Sequence, residues 1–137
     1  MPRTETEAMM SRVLANFTEL AGQAAELSDE DLDKEIPGYG GRTTRARTVL
    51  YANANHVREH VNHINKILSA TGHPAQTEAR AILEQAAQAL GALSGALLRV
   101  DDGDLTRSHE DHTIASVLQH VAETQESHIG YLREGFK

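Results

Sequence analysis

Four long stretches of the sequence repeat apolar residues at intervals of three and four, the period of one face of an α-helix. The stretches cover, in order, about residues 6–27, Thr43 or Thr44 to Ser69, Thr77 to Val100, and Asp111 or Thr113 to the C-terminal region. No segment shows convincing strand-like alternation of apolar and polar residues. The pattern therefore predicts an all-α fold with four long helices.

The segments between these stretches carry turn signals. In "SDEDL", Ser28 and Asp31 have the spacing of a helix start, which predicts a single short helical turn. The glycines of "IPGYGGR" predict a loop, and Gly72 and Pro74 in "TGHP" end the second long helix. We expect residues 1–137 to form one four-helix-bundle domain. Its core would consist mainly of Leu, Ile, Val and Ala, since only 4% of the residues are aromatic.

The two halves of the chain are weakly alike. "SDEDL" in the first half parallels "DDGDL" in the second, and "RTVLYANANHVREHVNHI" can be laid on "ASVLQHVAETQESHIGYL" at a constant offset of 68. Two motifs in the same order indicate an internal repeat. The economical fold is a four-helix bundle made of two helical pairs related by a pseudo-two-fold axis.

Three of the eight histidines lie in the segment "HVREHVNH" of the second long helix. His56 and His60 are separated by about 40° and 6 Å along an α-helix, a suitable spacing for two imidazoles on one ion. His63 lies roughly 10 Å beyond His56 along the helix axis, so those two cannot share a metal. An ion would use either the first or the second neighbouring pair. The first is favoured because Val57 and Val61 flank His60 and tilt it inward.

The fourth long helix carries His120, Thr124 and His128 along one face. The offset of 68 pairs these three residues with Ala52, His56 and His60. Equivalent positions of a two-fold-related pair approach the shared axis, so we expect a divalent metal site formed by His56, His60, His120 and His128. The plainer interpretation is a set of solvated surface imidazoles, which we expect for His63, His73, His109 and His112.

Composition excludes several other classes of function. The chain has no Cys and can supply no thiolate, and its net charge of −7 opposes binding to nucleic acid. No apolar run is long enough to span a membrane, and "MPRTETEAMM" lacks the apolar region of a signal peptide, so we expect a cytoplasmic protein that binds neither membrane nor nucleic acid. No Glu precedes a His by three residues, which argues against a di-iron carboxylate bundle.

The phrases "SDEDL", "TRARTVLYANANH" and "HTIASVLQHVAETQESHIGYLRE" resemble the DinB-like (damage-inducible, YfiT-like) superfamily of metal-binding four-helix bundles, over nearly the whole chain. The resemblance implies a bound divalent ion, Zn²⁺ or Ni²⁺. It also implies one His ligand early in the second long helix and a His pair in the fourth. Several members are thiol S-transferases that use bacillithiol, mycothiol or glutathione-type cofactors, and dimers are frequent. A role in stress response and a homodimer are thus expected.

This sequence departs from the ligand pattern that the resemblance implies. The ligand position in the second long helix holds Tyr51 or Ala52, and the pair in the fourth is Thr124 with His128, so only one ligand of the family pattern is present. The pseudo-two-fold image of that pattern is His120, His56 and His60. We hypothesise that the two halves have exchanged their ligand positions, so that the second long helix supplies the His pair and the fourth supplies the single His, with His128 nearby. The alternative is that the metal has been lost.

Two functions from different classes follow from these residues. Three neutral imidazoles leave coordination positions open, so a bound ion could activate a low-molecular-weight thiol for transfer to a small electrophile. Three polar side chains are expected to contact the metal ligands or the substrate: Thr124, Asn53 and Tyr131. The alternative is a non-catalytic helical module, metal-free or metal-binding, that binds a small ligand or dimerises.

Overall fold

The computed structural model describes residues 2–137, and helices dominate this part of the chain. The described residues form five α-helices: α1 (Thr4–Ala24), α2 (Asp29–Leu32), α3 (Ala46–Ala70), α4 (Glu78–Leu97) and α5 (Ile114–Gly135). The expected all-α class is confirmed, and the four long helices lie where the apolar periodicity predicts them. No helix within residues 2–137 is both long enough and apolar enough to cross a membrane.

Two short hairpins correct the expectation that the chain has no strand. In the first, β1 (Glu35–Pro37) pairs antiparallel with β2 (Thr43–Arg45), with Ile36 opposite Thr44. In the second, β3 (Ser108–His109) pairs with β4 (His112–Thr113). Segments of two or three residues are too short for an alternating pattern to develop, so periodicity could not reveal them.

The first hairpin also moves the start of α3. The helix was expected to begin at Thr43 or Thr44, but both residues lie in β2, and Arg45 occupies the N-cap without a side-chain hydrogen bond. The other end agrees with the sequence. The His73 amide donates to the Leu68 carbonyl and Gly72, at φ 71°, donates to Ser69, which is the Schellman arrangement that ends a helix at glycine.

Both acidic motifs form reciprocal caps, and the helix start predicted at Ser28 and Asp31 is confirmed. The Asp31 amide donates to the Ser28 hydroxyl at 3.1 Å, and the Ser28 amide donates to the Asp31 carboxylate at 3.1 Å. In the second half, Asp101 and Asp104 exchange the same two bonds, at the start of a 3₁₀ turn over Asp102–Thr106. Both capping boxes satisfy backbone donors that a helix start leaves open.

A basic residue after each box joins it to the following long helix. The Ala46 amide, at the start of α3, donates to the Lys34 carbonyl at 3.2 Å. The Ile114 amide, at the start of α5, donates to the Arg107 carbonyl, also at 3.2 Å. The same local bonding therefore occurs in both halves, although the second hairpin segment is five residues shorter than the first.

The chain divides into two units, one ending at Gln88 and the other covering Ala89–Lys137. In the first, α2 contacts α3 and β2 contacts the start of α3; in the second, the 3₁₀ turn and β4 contact α5. Partly buried leucines lie at corresponding positions of these contacting elements: Leu32 and Leu50 in the first unit, Leu105 and Leu118 in the second.

The expected apolar core is not present within the residues that the structure describes, because none of them is buried. The stripe of α3 illustrates this: Val57 and Val61 are each 51% exposed and Ile64 is 58% exposed. An amphipathic helix in water gains most of its stability from covering such a stripe. The apolar faces of the long helices are therefore open for packing.

Candidate metal centre

The histidine segment lies in the middle part of α3, which spans Ala46–Ala70, and neither end of the segment falls in the first or last turn of the helix. Regular backbone hydrogen bonding there holds the side chains at fixed helical spacing, so neighbours three and four residues apart lie on one face. His56, His60 and His63 are all exposed. The inward tilt expected for His60 is absent, because the neighbouring Val57 and Val61 are themselves uncovered.

His56 and His60 are brought together as the spacing of four predicts. Their Nε2 atoms lie 2.9 Å apart, and their ring centroids are 4.3 Å apart with the planes 79° from parallel. At this distance one Nε2–H donates a hydrogen bond to the other Nε2. When both rings are neutral, the donor ring therefore carries its proton on Nε2 and the acceptor ring carries its proton on Nδ1. Each ring therefore turns a metal-binding nitrogen towards the other.

His63 contacts the opposite nitrogen of His60. The two Nδ1 atoms are 3.3 Å apart, and the ring centroids are 5.5 Å apart. His60 is thus the central member of three imidazoles, with Nε2 facing His56 and Nδ1 facing His63. The sequence analysis placed His63 towards solvent and gave it no part in the site. The spacing of three between His60 and His63 was the signal for this contact.

The Nε2 atoms of His56 and His60 have a separation that suits two ligands of one ion. Metal–imidazole bonds of about 2.0–2.1 Å place two nitrogens about 2.9 Å apart when the angle at the metal is about 90°. A tetrahedral angle requires a separation of about 3.3–3.4 Å with the same bonds. The observed 2.9 Å therefore fits a cis pair of an octahedral or square-planar ion.

The other two expected ligands lie on α5, in the second unit. His120 and His128 are exposed there, and Thr124 between them is partly buried. The His128 ring lies 6.3 Å from the Tyr131 ring, measured between centroids. Over residues 2–137, no group of three or more His, Asp or Glu side chains is arranged to hold a metal ion. The four-histidine site remains a prediction.

The acidic groups whose pKa values are shifted belong to the caps and to one ion pair. The Lys34 ammonium, 2.6 Å away, and then the Ser28 amide hold the pKa of Asp31 at about 2. Arg107 and the Asp101 amide lower the pKa of Asp104 in the same way. These carboxylates stay ionised because they accept hydrogen bonds from cations and backbone donors, which is a structural role.

Arg47, in the first turn of α3, pairs with Asp33 after α2. The guanidinium lowers the pKa of the Asp33 carboxylate, and the carboxylate raises the pKa of Arg47. This pair links the acidic turn to the helix that carries the three histidines. It orients the start of α3 and contributes no ligand to the histidine group.

The polar neighbours expected around the site are exposed. Asn53 lies on α3 three residues before His56, and Tyr131 is 71% exposed on α5. No family model, curated protein or solved structure matches this chain. The case for a functional site therefore depends on the geometry of the histidines.

Proposed function

We propose that this protein binds a divalent metal ion through the Nε2 atoms of His56 and His60. The observation that carries the proposal is the 2.9 Å separation of these two atoms on one exposed helical face. The donors are neutral imidazole nitrogens, the commonest nitrogen ligands of Zn²⁺ and Ni²⁺ in proteins. Exposure of both rings leaves the ion accessible to water, to a small ligand and to further protein ligands.

We propose Ni²⁺ as the ion for this pair, with Zn²⁺ as the alternative. An angle of about 90° at the metal belongs to octahedral and square-planar coordination, which Ni²⁺ adopts readily, whereas structural Zn²⁺ is tetrahedral. The intrinsic order of affinities among first-row metals also places Ni²⁺ above Fe²⁺ and Co²⁺. Zn²⁺ would bind after a side-chain adjustment that widens the nitrogen separation by about 0.4 Å.

The proposal includes the fold and the remaining ligands that the internal repeat predicts. Two helical pairs would pack as a DinB-like four-helix bundle about a pseudo-two-fold axis, with His120 and His128 joining the pair on α3. Two observations support this. The sequence offset of 68 pairs His60 with His128, and both halves join the capped turn to the next helix by the same 3.2 Å amide-to-carbonyl bond.

The proposed chemistry is thiol transfer to a small electrophile. A divalent ion lowers the pKa of a thiol bound to it, which makes a nucleophile at neutral pH. The chain has no Cys, so a low-molecular-weight thiol must supply the sulfur. The histidines would hold the ion, and Thr124, Asn53 and Tyr131 offer hydroxyl and amide groups that can orient the thiol or the electrophile.

A non-catalytic helical module is the second candidate, and the exposed apolar faces favour it. Val57, Val61 and Ile64 are each more than half exposed, as is Leu132 on α5 at 63%. Faces of this kind are covered by another protein surface or by an apolar ligand when the protein functions. A homodimer would cover them, with or without bound metal.

Calorimetric titration of the metal-free protein with Ni²⁺ and Zn²⁺ tests the metal site. We expect one ion per chain and tighter binding of Ni²⁺. His56→Ala and His60→Ala should each weaken binding at least tenfold, because each removes half of the chelating pair. His73→Ala, an exposed histidine in the loop after α3, is the matched control and should bind like the unaltered chain. Unchanged binding by His60→Ala would refute the site.

Turnover separates the two candidate functions. The Ni²⁺-loaded and Zn²⁺-loaded proteins would be incubated with an electrophile such as monobromobimane and a panel of small thiols, including bacillithiol, mycothiol and glutathione. Metal-dependent product formation that is lost in His60→Ala supports the transferase. Tight metal binding without turnover across the panel supports the module.

A further inference from the structure

The third histidine of the segment has a specific relation to the proposed ligand pair. His63 lies one helical turn after His60, and its Nδ1 atom is 3.3 Å from the Nδ1 atom of His60. The two nitrogens of an imidazole ring point in different directions. A metal held at Nε2 of His60 therefore lies away from the nitrogen that faces His63, so His63 is placed beside the ligand and not at the ion.

Hydrogen bonding couples the protonated nitrogens of the three neutral rings. In one arrangement His56 Nε2–H donates to His60 Nε2, and His60 Nδ1–H donates to His63 Nδ1. In the other, His63 Nδ1–H donates to His60 Nδ1, and His60 Nε2–H donates to His56 Nε2. Both satisfy the contacts at 2.9 and 3.3 Å. Only the first leaves the Nε2 lone pair of His60 free of a proton, as a metal ligand requires. On metal binding the Nε2 proton of His56 would have to move to its own Nδ1, so that both Nε2 atoms could coordinate.

We propose that His63 is a positioning residue, which accepts the Nδ1–H of His60 and so fixes His60 in the tautomer that presents Nε2 to a divalent metal ion. Metal-bound histidines generally donate their second ring N–H to such an acceptor, and loss of the acceptor weakens metal binding. Here the acceptor is another imidazole on the same helix. Both the choice of this tautomer and its consequence for metal affinity rest on the proposed function, but the tautomer can be measured without metal.

The contact also restricts how His60 can turn. The ring planes of His60 and His63 are 36° apart, whereas those of His56 and His60 are 79° apart. His60 is thus held by one neighbour on each of its two nitrogens. An exposed imidazole without the neighbour at Nδ1 would donate to water instead and could turn freely about its side-chain bonds. His63 therefore contributes orientation as well as tautomer selection.

The test compares His63→Ala with His63→Asn. Alanine removes the acceptor, whereas the Asn side-chain oxygen occupies about the place of the imidazole Nδ1 and can still accept. His73→Ala is the control for the loss of one exposed histidine. The first readout, made without metal in alkaline buffer, is the tautomer of His60 from long-range ¹H–¹⁵N correlation spectra. The second is the Kd for Ni²⁺ from calorimetry, with helix content checked by circular dichroism.

The proposal predicts Nδ1–H at His60 in the unaltered chain and in His63→Asn, and a shift to mixed tautomers in His63→Ala. It also predicts a Kd for Ni²⁺ that rises about 10-fold in His63→Ala and is largely restored in His63→Asn. Nε2–H at His60 in the unaltered chain, or a tautomer unaffected by His63→Ala, would overturn it. Equal loss of affinity in both variants would also overturn it, because the imidazole itself would then be required.

The two proposals fail in distinguishable ways. If the unaltered chain binds no Ni²⁺ but His60 changes tautomer in His63→Ala alone, the metal site is refuted and the positioning contact is upheld. If Ni²⁺ binds and His63→Ala changes neither tautomer nor Kd, the metal site is upheld and the role of His63 is refuted.

Discussion

At the scale of single residues, Asp31 shows how a partly exposed group acquires a defined role. Its carboxylate accepts from the Lys34 ammonium at 2.6 Å and from the Ser28 amide at 3.1 Å. These donors lower its pKa from the ordinary 3.8 to about 2. The ionised form is therefore the one that the folded turn stabilises.

The pH dependence of this turn follows from the direction of the shift. Because folding lowers the pKa, the contribution of Asp31 to stability is complete above pH 3.8 and is lost as the pH falls through about 2. A carbon-detected NMR titration should place the Asp31 midpoint near pH 2, and Lys34→Ala should raise it towards 3.8. A midpoint near 3.8 in the unaltered chain would show that Lys34 and Ser28 do not hold the carboxylate.

The histidines show what residue spacing can and cannot predict. The proximity of His56 and His60 follows from a separation of four on a helix, and it is present at 2.9 Å. The contact of His60 with His63 follows from a separation of three, although His63 was expected to be a solvated surface imidazole. The choice between the two ring nitrogens depends on side-chain rotamers, which no sequence pattern contains.

At the scale of elements, the N-caps of α3 and α5 differ although the two helices occupy equivalent places in the repeat. Thr113 caps α5 in a capping box with Ser116, whose amide donates to the Thr113 hydroxyl at 3.0 Å. Arg45, at the corresponding position of α3, makes no side-chain capping bond. The first helix of the pair therefore lacks the side-chain cap that its partner has.

Removing the cap of α5 and adding a capping residue to α3 should have opposite effects on the free energy of unfolding. Thr113→Ala should lower the free energy of unfolding by about 1 kcal/mol, and Arg45→Thr should raise it by a similar or smaller amount. Urea denaturation monitored by circular dichroism measures both. Thr113→Ser is the control, because it keeps the capping hydroxyl and should leave the midpoint nearly unchanged. No loss of stability in Thr113→Ala would contradict the role assigned to this cap.

Alanine substitutions at two glycines, one at the end of α3 and one inside α4, should have opposite effects on stability. Gly72 ends α3 at φ 71°, where a side chain is strained, whereas Gly91 lies inside α4 with open space where a Cβ would be. Gly72→Ala should therefore destabilise the protein by about 1–2 kcal/mol. Gly91→Ala should stabilise it by about 0.5–1 kcal/mol because alanine favours the helix.

Urea midpoints for the two glycine variants decide this prediction. A stabilising Gly72→Ala would mean that the Schellman end is not formed in solution. A destabilising Gly91→Ala would mean that another surface covers this face of α4.

The same scale shows where sequence patterns fail. Long apolar stripes and turn residues predicted the long helices, the capped turn at Ser28 and the end of α3. The hairpins were missed because strand pairs of two or three residues carry no periodicity, and the start of α3 was misplaced because Thr43 and Thr44 suit both an N-cap and a strand.

At the scale of the whole molecule, periodicity identified the apolar faces but not what covers them. The stripe residues of α3 lie on one face as expected, but they are exposed, and so is the pair of histidines beside them. Which surfaces meet is decided by long-range packing, and a single sequence carries little information about that. The proposed bundle and the proposed homodimer are two ways to bury these faces.

The central claim is the proposal that His56 and His60 bind one ion together. X-ray absorption spectroscopy of the Ni²⁺-loaded protein, at one ion per chain, tests this claim most directly. The account predicts at least two imidazole ligands at about 2.1 Å, with one fewer in His60→Ala. A shell of oxygen ligands alone, or an imidazole count that His60→Ala leaves unchanged, would contradict it.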